Sequence, residues 1–166
     1  WEHVLQRFEG GRRHPDDEPV SVGTAEVLVV GMGRVGSGAY RYLKDLGLQV
    51  VGLDSDMGKV KRHLDEGRRV VYADAEDPDL WHRLHMERVR AIMLALPDAE
   101  AKVIASRQLR QRGFRGLIAA THVYDEERAP ILAAGCDVTY NYFAEAGTGF
   151  AAHISDALQA PPGERD

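Results

Sequence analysis

Short apolar runs alternate with amphipathic stretches along most of this chain. Residues 27–30 (Val-Leu-Val-Val), 48–53, 69–72, 91–96, 116–120 and 137–140 read as six strands, several of them continuously apolar, as parallel strands covered on both faces tend to be. Between and after them, residues 34–46, 56–66, 77–85, 98–112, 126–134 and 143–159 carry helical spacing. Asp56 is placed to cap the second of these helices, Pro78 sits in the first turn of the third, and Gly47, Gly67, Gly113 and Gly135 are placed to close four of them. Strict alternation of this kind predicts an α/β fold. The expectation is a Rossmann-like, doubly wound parallel sheet of six strands, with right-handed crossovers and helices on both faces.

The two ends of the chain read differently. Trp1, Val4, Leu5 and Phe8 have helical spacing, whereas residues 10–24, with Gly10-Gly11, Arg12-Arg13, Pro15 and Pro19, have linker composition. The expected organisation is a helix and linker over 1–24, one folded domain over 25–160 and a tail over 161–166. The chain starts at Trp1 without a methionine, so it is read as a piece of something longer.

A length of 166 residues suits one domain with a real core, and 44% apolar content is that of a globular chain. The net charge of −5 gives no electrostatic footprint for nucleic acid. Cys136 is the single cysteine and follows Ala-Ala-Gly, a setting for a buried thiol in a reducing compartment. No apolar run approaches the ~18 residues that span a bilayer.

The chemistry begins where the first strand runs into Gly31-Met32-Gly33-Arg34-Val35-Gly36. Gly31 permits a tight turn, Gly33 lets backbone approach a pyrophosphate, and Gly36 lets the following helix pack on the strand. The N–H groups at that helix start favour an anion, and the Arg34 guanidinium can fork onto phosphate oxygens. Asp54 ends the second strand at the distance at which an acidic residue takes ribose hydroxyls. Its charge would repel a 2′-phosphate, which favours NAD or a plain adenosine nucleotide over NADP. Removing that carboxylate is expected to weaken binding and leave the fold intact.

Other positions follow from the predicted sheet. Asp74, just after the third strand, would meet an adenine edge or cap the next helix, and Leu96 and Pro97 would form an apolar wall at the end of the fourth. The candidate contacts are therefore Gly31, Met32, Gly33, Arg34, Val35 and Gly36 in the turn, Asp54 and Ser55, Asp74 and Ala75, and Leu96 and Pro97. Tyr40 and Lys44 match a dehydrogenase Tyr-x-x-x-Lys pair by letters, but on the wrong helix. His82 and His85 would share a helix face without further metal ligands. His122 reads as a polar rim residue on the ligand side, and Gly147-Thr-Gly149 as a helix bend or a site of close helix packing. Nucleophile, base and orienting group nowhere come together by spacing, so neither a catalytic residue nor a metal site is expected.

The ordered succession of Val-Leu-Val-Val-Gly-Met-Gly-Arg-Val-Gly, Val-Gly-Leu-Asp54-Ser-Asp, Val-Val-Tyr-Ala-Asp74-Ala and Ile-Met-Leu-Ala-Leu-Pro resembles the TrkA N-terminal (KTN or RCK) domain over about residues 25–140. The flanking Trp-x-x-x-x-x-Arg-Phe-Glu and Phe143-Ala-Glu-Ala-Gly-Thr-Gly-Phe are similar to Kef-type potassium efflux proteins, the potassium/proton antiporters of bacteria. The family's usual Gly-Asp-Ala after strand three is Ala73-Asp74-Ala75 here. The resemblance implies a regulatory domain that binds NAD(H) or AMP, with phosphates on Gly31, Gly33, Arg34 and Gly36, ribose on Asp54 and adenine near Asp74. It also implies a homodimer and a cytoplasmic position behind an inner-membrane (plasma-membrane) transport domain that it gates. The alternative is an NAD-dependent oxidoreductase domain or subunit, and a further one is a passive dimerisation module.

Overall fold

A computed structural model describes residues 21–164; the amphipathic segment expected at 1–9 and most of the linker lie outside the described residues. Twelve elements alternate in the order β1 (Val27–Val30), α1 (Arg34–Asp45), β2 (Val50–Asp54), α2 (Met57–Asp65), β3 (Val70–Tyr72), α3 (Leu80–Arg83), β4 (Ala91–Leu94), α4 (Ala99–Gln111), β5 (Leu117–His122), α5 (Asp125–Ala133), β6 (Val138–Asn141) and α6 (Tyr142–Gln159). The strands form one sheet in the order β3-β2-β1-β4-β5-β6, with every pairing parallel. This is the doubly wound arrangement that the alternation predicts.

Both faces of the sheet are covered, which is why β1 is apolar at every position. Leu28 and Val30 point into a larger core with Val51, Leu53, Ile92, Leu94 and Ile118, roofed by Leu80 and Trp81 of α3, Leu109 of α4 and Ile131 of α5. Val27 and Val29 point the other way, into a smaller core with Val50, Val70, Tyr40 of α1 and Val60 of α2. Burying a side chain of this size contributes roughly 1.5–3 kcal/mol, so β1, buried throughout, anchors the sheet. Val22 is buried in the larger core as well, so packing reaches back past the domain start expected at Ala25.

Several local expectations shift. α3 is a single turn, so His85 lies beyond its end, and His122 is the last residue of β5, buried, and not an exposed rim residue. Gly147 and Gly149 sit inside α6, an 18-residue helix without a single buried residue. Among the described residues no helix is long and apolar enough to cross a membrane.

The strand order reverses between β2-β1 on one side and β4-β5 on the other, and the loops leaving β1 and β4 diverge there. Such a switch point leaves a crevice at the carboxyl ends of the strands, where open α/β sheets take ligands.

Candidate functional site

The crevice holds about 740 Å³, within the range of small-molecule sites. Its floor is the glycine turn. The Gly31 N–H donates to the Leu53 carbonyl at 2.8 Å, and its φ of +92° is open to glycine alone, the more so because a Cβ there would stand 2.5 Å from the Ala95 carbonyl oxygen. Gly36 packs so tightly under the turn that a Cβ would fall 1.7 Å from the Gly31 oxygen. Gly33 faces open space instead, with no atom within 4 Å of the position a Cβ would take.

Gly33 is also the N-cap of α1, and α1 has neither a capping side chain nor an acidic residue in its first turn. Its first helical bond is Ser37 N–H to the Gly33 carbonyl at 2.9 Å, so the Arg34, Val35 and Gly36 amides lie ahead of the ladder. Asp56, Asp98 and Asn141, by contrast, cap α2, α4 and α6 with their own oxygens. The uncapped helix start with its partial positive charge therefore faces the crevice, where Arg34 and Val35 line the wall.

Asp54 ends β2 beside this turn and is 8% exposed. One carboxylate oxygen accepts the Met32 N–H at 2.8 Å and the other the Asp56 N–H at 2.8 Å. Each oxygen keeps a further lone pair for a hydroxyl. The carboxylate thus also holds two pieces of backbone, so the expectation that its loss would leave the fold untouched needs correction.

The Met32 peptide is held from its other side too. A guanidinium can only donate, so Arg68 Nε–H to His63 Nδ1 (2.9 Å) leaves the ring proton on Nε2, which donates to the Met32 carbonyl at 2.9 Å. Ser37 Oγ donates to the same carbonyl at 3.0 Å. Sequence reasoning missed this support, because no spacing signal links positions 32, 37, 63 and 68. Met32, named above as a residue of the turn, has its side chain buried in the smaller core against Gly52.

Of the expected contacts, Gly31, Gly33, Arg34, Val35, Asp54, Ser55, Asp74, Ala75, Leu96 and Pro97 line the crevice together, while Met32 and Gly36 lie behind it. Asp74 accepts the Glu76 N–H at 2.9 Å and shapes the turn after β3; α3 starts later, at Leu80, and takes no cap from it. Lys59, Asp56, Glu76, Asp98, Thr121, Tyr142 and Phe143 line it too. The last two come from the start of α6, which only the strand order brings to this crevice. The Asp56 carboxyl is held below the usual carboxylate range, chiefly by the Lys59 N–H.

The remaining candidates do not line the crevice. Tyr40 is buried, and its hydroxyl accepts the Arg69 N–H at 2.8 Å. His82 meets Arg112, His85 is exposed near Glu87, and among the described residues no three His, Cys, Asp or Glu gather to hold a metal. Cys136 Sγ lies 3.1 Å from the Val138 carbonyl, and burial pushes its thiol up, away from reactivity.

The model of the TrkA-N domain family matches residues 27–141. A curated relative, the uncharacterized protein MG323 homolog of Mycoplasma pneumoniae, is 26% identical over 95 residues; they make up 57% of this chain and 41% of that one, so the chain spans well under half of it. The NAD(P)-binding domain of an exopolyphosphatase-related protein from Archaeoglobus fulgidus superposes with a TM-score of 0.72 at 23% identity, over 80% of this chain and 98% of that one. The TrkA-N domain of the inner membrane protein ybaL from Escherichia coli gives 0.68 at 23% identity, over 76% and 94%. The Shewanella denitrificans Kef CTD in its AMP-bound form gives 0.66 at 16%, over 86% and 83%. At these identities the likeness is one of fold.

Proposed function

The chain belongs to the TrkA-N domain family, whose members are regulatory, non-catalytic nucleotide-binding modules, and from that premise we propose that it binds NAD(H) or AMP in the switch-point crevice and so gates a potassium efflux transporter or channel. The ribose hydroxyls sit on Asp54, the phosphates at the open α1 amides and Arg34, and the adenine by Asp74 and Ala75. Leu96 and Pro97 form the wall beside the sugar. The observation that carries this reading is the pairing of an uncapped helix start with a buried carboxylate across one glycine turn. Five carboxylates (Asp54, Asp56, Asp74, Glu76, Asp98) against two cations (Arg34, Lys59) line the crevice. That balance supports ligands of low charge over NADP or ATP.

Gating needs a ligand that prefers one domain arrangement, because only differential affinity moves such an equilibrium. We place the domain on the cytoplasmic side of an inner membrane, joined to the transport domain and paired with a second copy of itself. Support for pairing comes from α6, where Phe150, Ile154 and Leu158 form an exposed apolar stripe at successive helical turns.

Calorimetric titration of the chain with NAD, NADH, AMP and NADP tests the site, and chromatography of the bound nucleotide tests its fate. The expected result is saturable binding of the first three, weaker binding of NADP and nucleotide recovered unchanged. Absence of binding, or NADH oxidised at a substrate-dependent rate, would overturn the proposal. A bundle of long apolar spans encoded upstream of Trp1 is the expected sign of the transport domain.

A further inference from the structure

The crevice extends past the groups that hold one nucleotide. Its far end carries Tyr142 and Phe143, the first two residues of α6, with ring centroids 4.5 Å apart and tilted by 34°. Phe143 is 59% exposed, and the Asn141 side chain fixes the start of the helix by accepting the Ala144 N–H at 3.0 Å. Thr121 also lines the crevice, and its carbonyl is held by Lys102 Nζ at 2.6 Å.

The sheet order sets the distance between the two ends. Asp54 lies on β2 and the aromatic pair follows β6, four strand positions away, or about 19 Å at ~4.8 Å per strand. A ligand with its ribose on Asp54 and its phosphate at α1 occupies only the β2–β1 side. Its sugar and phosphate end at the glycine turn, and a mononucleotide leaves the rings untouched. Beyond the glycine turn the crevice continues past Leu96, which follows β4, and Thr121 of β5, to the pair.

We propose that Tyr142 and Phe143 form a stacking platform for the second base of a dinucleotide, so that this crevice discriminates a dinucleotide from a mononucleotide. The inference rests on the nucleotide reading above and adds its specificity. A flat heterocycle gains about 5- to 140-fold in affinity from stacking on an aromatic side chain. An oxidised nicotinamide, being cationic, is drawn further to the ring faces.

The test uses the whole 166-residue chain with the double substitution Tyr142→Leu/Phe143→Leu, which keeps apolar bulk and removes the rings. NAD and AMP are titrated by calorimetry, with sedimentation to follow the oligomeric state. The expected outcome is AMP affinity within about twofold of wild type and NAD affinity weakened about fivefold or more, with Tyr142→Phe keeping the wild-type ratio. NAD and AMP falling together, with or without a change in oligomeric state, would mean that the rings serve packing and would overturn the inference. So would unchanged affinity for both. A wild-type chain that takes up neither ligand overturns the nucleotide reading and this inference with it, whereas wild-type binding with unaltered discrimination overturns the inference alone.

Discussion

Replacing Asp54 separates its two roles. Its oxygens accept the Met32 and Asp56 amides at 2.8 Å each, the first bond buried and the second half-buried. In Asp54→Ala both N–H groups lose their partner. An unsatisfied buried group costs about 1–3 kcal/mol, and the Asp56 amide is near enough to solvent to find water, so the sum should be about 2–4 kcal/mol. Asp54→Asn keeps one acceptor and turns an amide NH2 towards the other N–H, so about half of that loss is expected. In urea, with a slope of roughly 1–3 kcal/mol per molar, the alanine variant should unfold about 1–2 M earlier than wild type and the asparagine variant between them. Under the proposed binding mode nucleotide affinity should fall in both, by about 100-fold or more for alanine, because two charge-assisted bonds to ribose would be lost at about 1.5–3 kcal/mol each. An alanine variant with the wild-type midpoint would refute the claim that this carboxylate holds the turn. Unchanged affinity in a folded asparagine variant would refute the claim that it holds the ligand.

Two glycines of the same turn should behave oppositely. Gly36→Ala drives a methyl group to 1.7 Å from the Gly31 oxygen and should destabilise the chain by about 3 kcal/mol or more, measured by denaturation. Gly33→Ala meets no atom within 4 Å at a φ of −74°; it should fold nearly as wild type and, under the proposed binding mode, lose about tenfold or more in nucleotide affinity, because a methyl there keeps the backbone from the pyrophosphate. Lys102 predicts a pH dependence: burial lowers its pKa below the ordinary 10.5, with Glu127 and Asp98 opposing. Between the lowered value and 10.5 the folded state has released the proton that the unfolded state still binds, so stability rises with pH across that window and the buried charge weighs on the fold below it. Denaturation profiles over that window should show wild type gaining on Lys102→Met, and parallel profiles would contradict the assignment.

The elements were legible because their causes are local. Continuous apolar runs between helical spacings set a doubly wound sheet, and predicted bounds mostly fall within two residues of those observed, as for α4, expected at 98–112 and found at Ala99–Gln111. α3 is the exception: a Pro-Asp-rich approach with its own turns, Asp79 N–H to Asp77 among them, delays the helix to Leu80. His122 looked like a rim residue because the apolar run stops at Ala120, but β6 pairs alongside and extends β5 over Thr121 and His122.

By itself the sequence determined the glycine turn, the carboxylate at the end of β2 and their common side of the sheet, since these depend on backbone freedom and on a strand that must end where its apolar run ends. Tertiary structure alone decided that the Met32 side chain leaves the site, that His63, Ser37 and Arg68 converge on its peptide, and that the rings of α6 close the far end of the crevice. Those contacts join residues whose separation along the chain carries no periodic signal. They exist only because the strand order folds distant segments to one edge of one sheet, where burial and hydrogen-bond satisfaction then select which atoms meet.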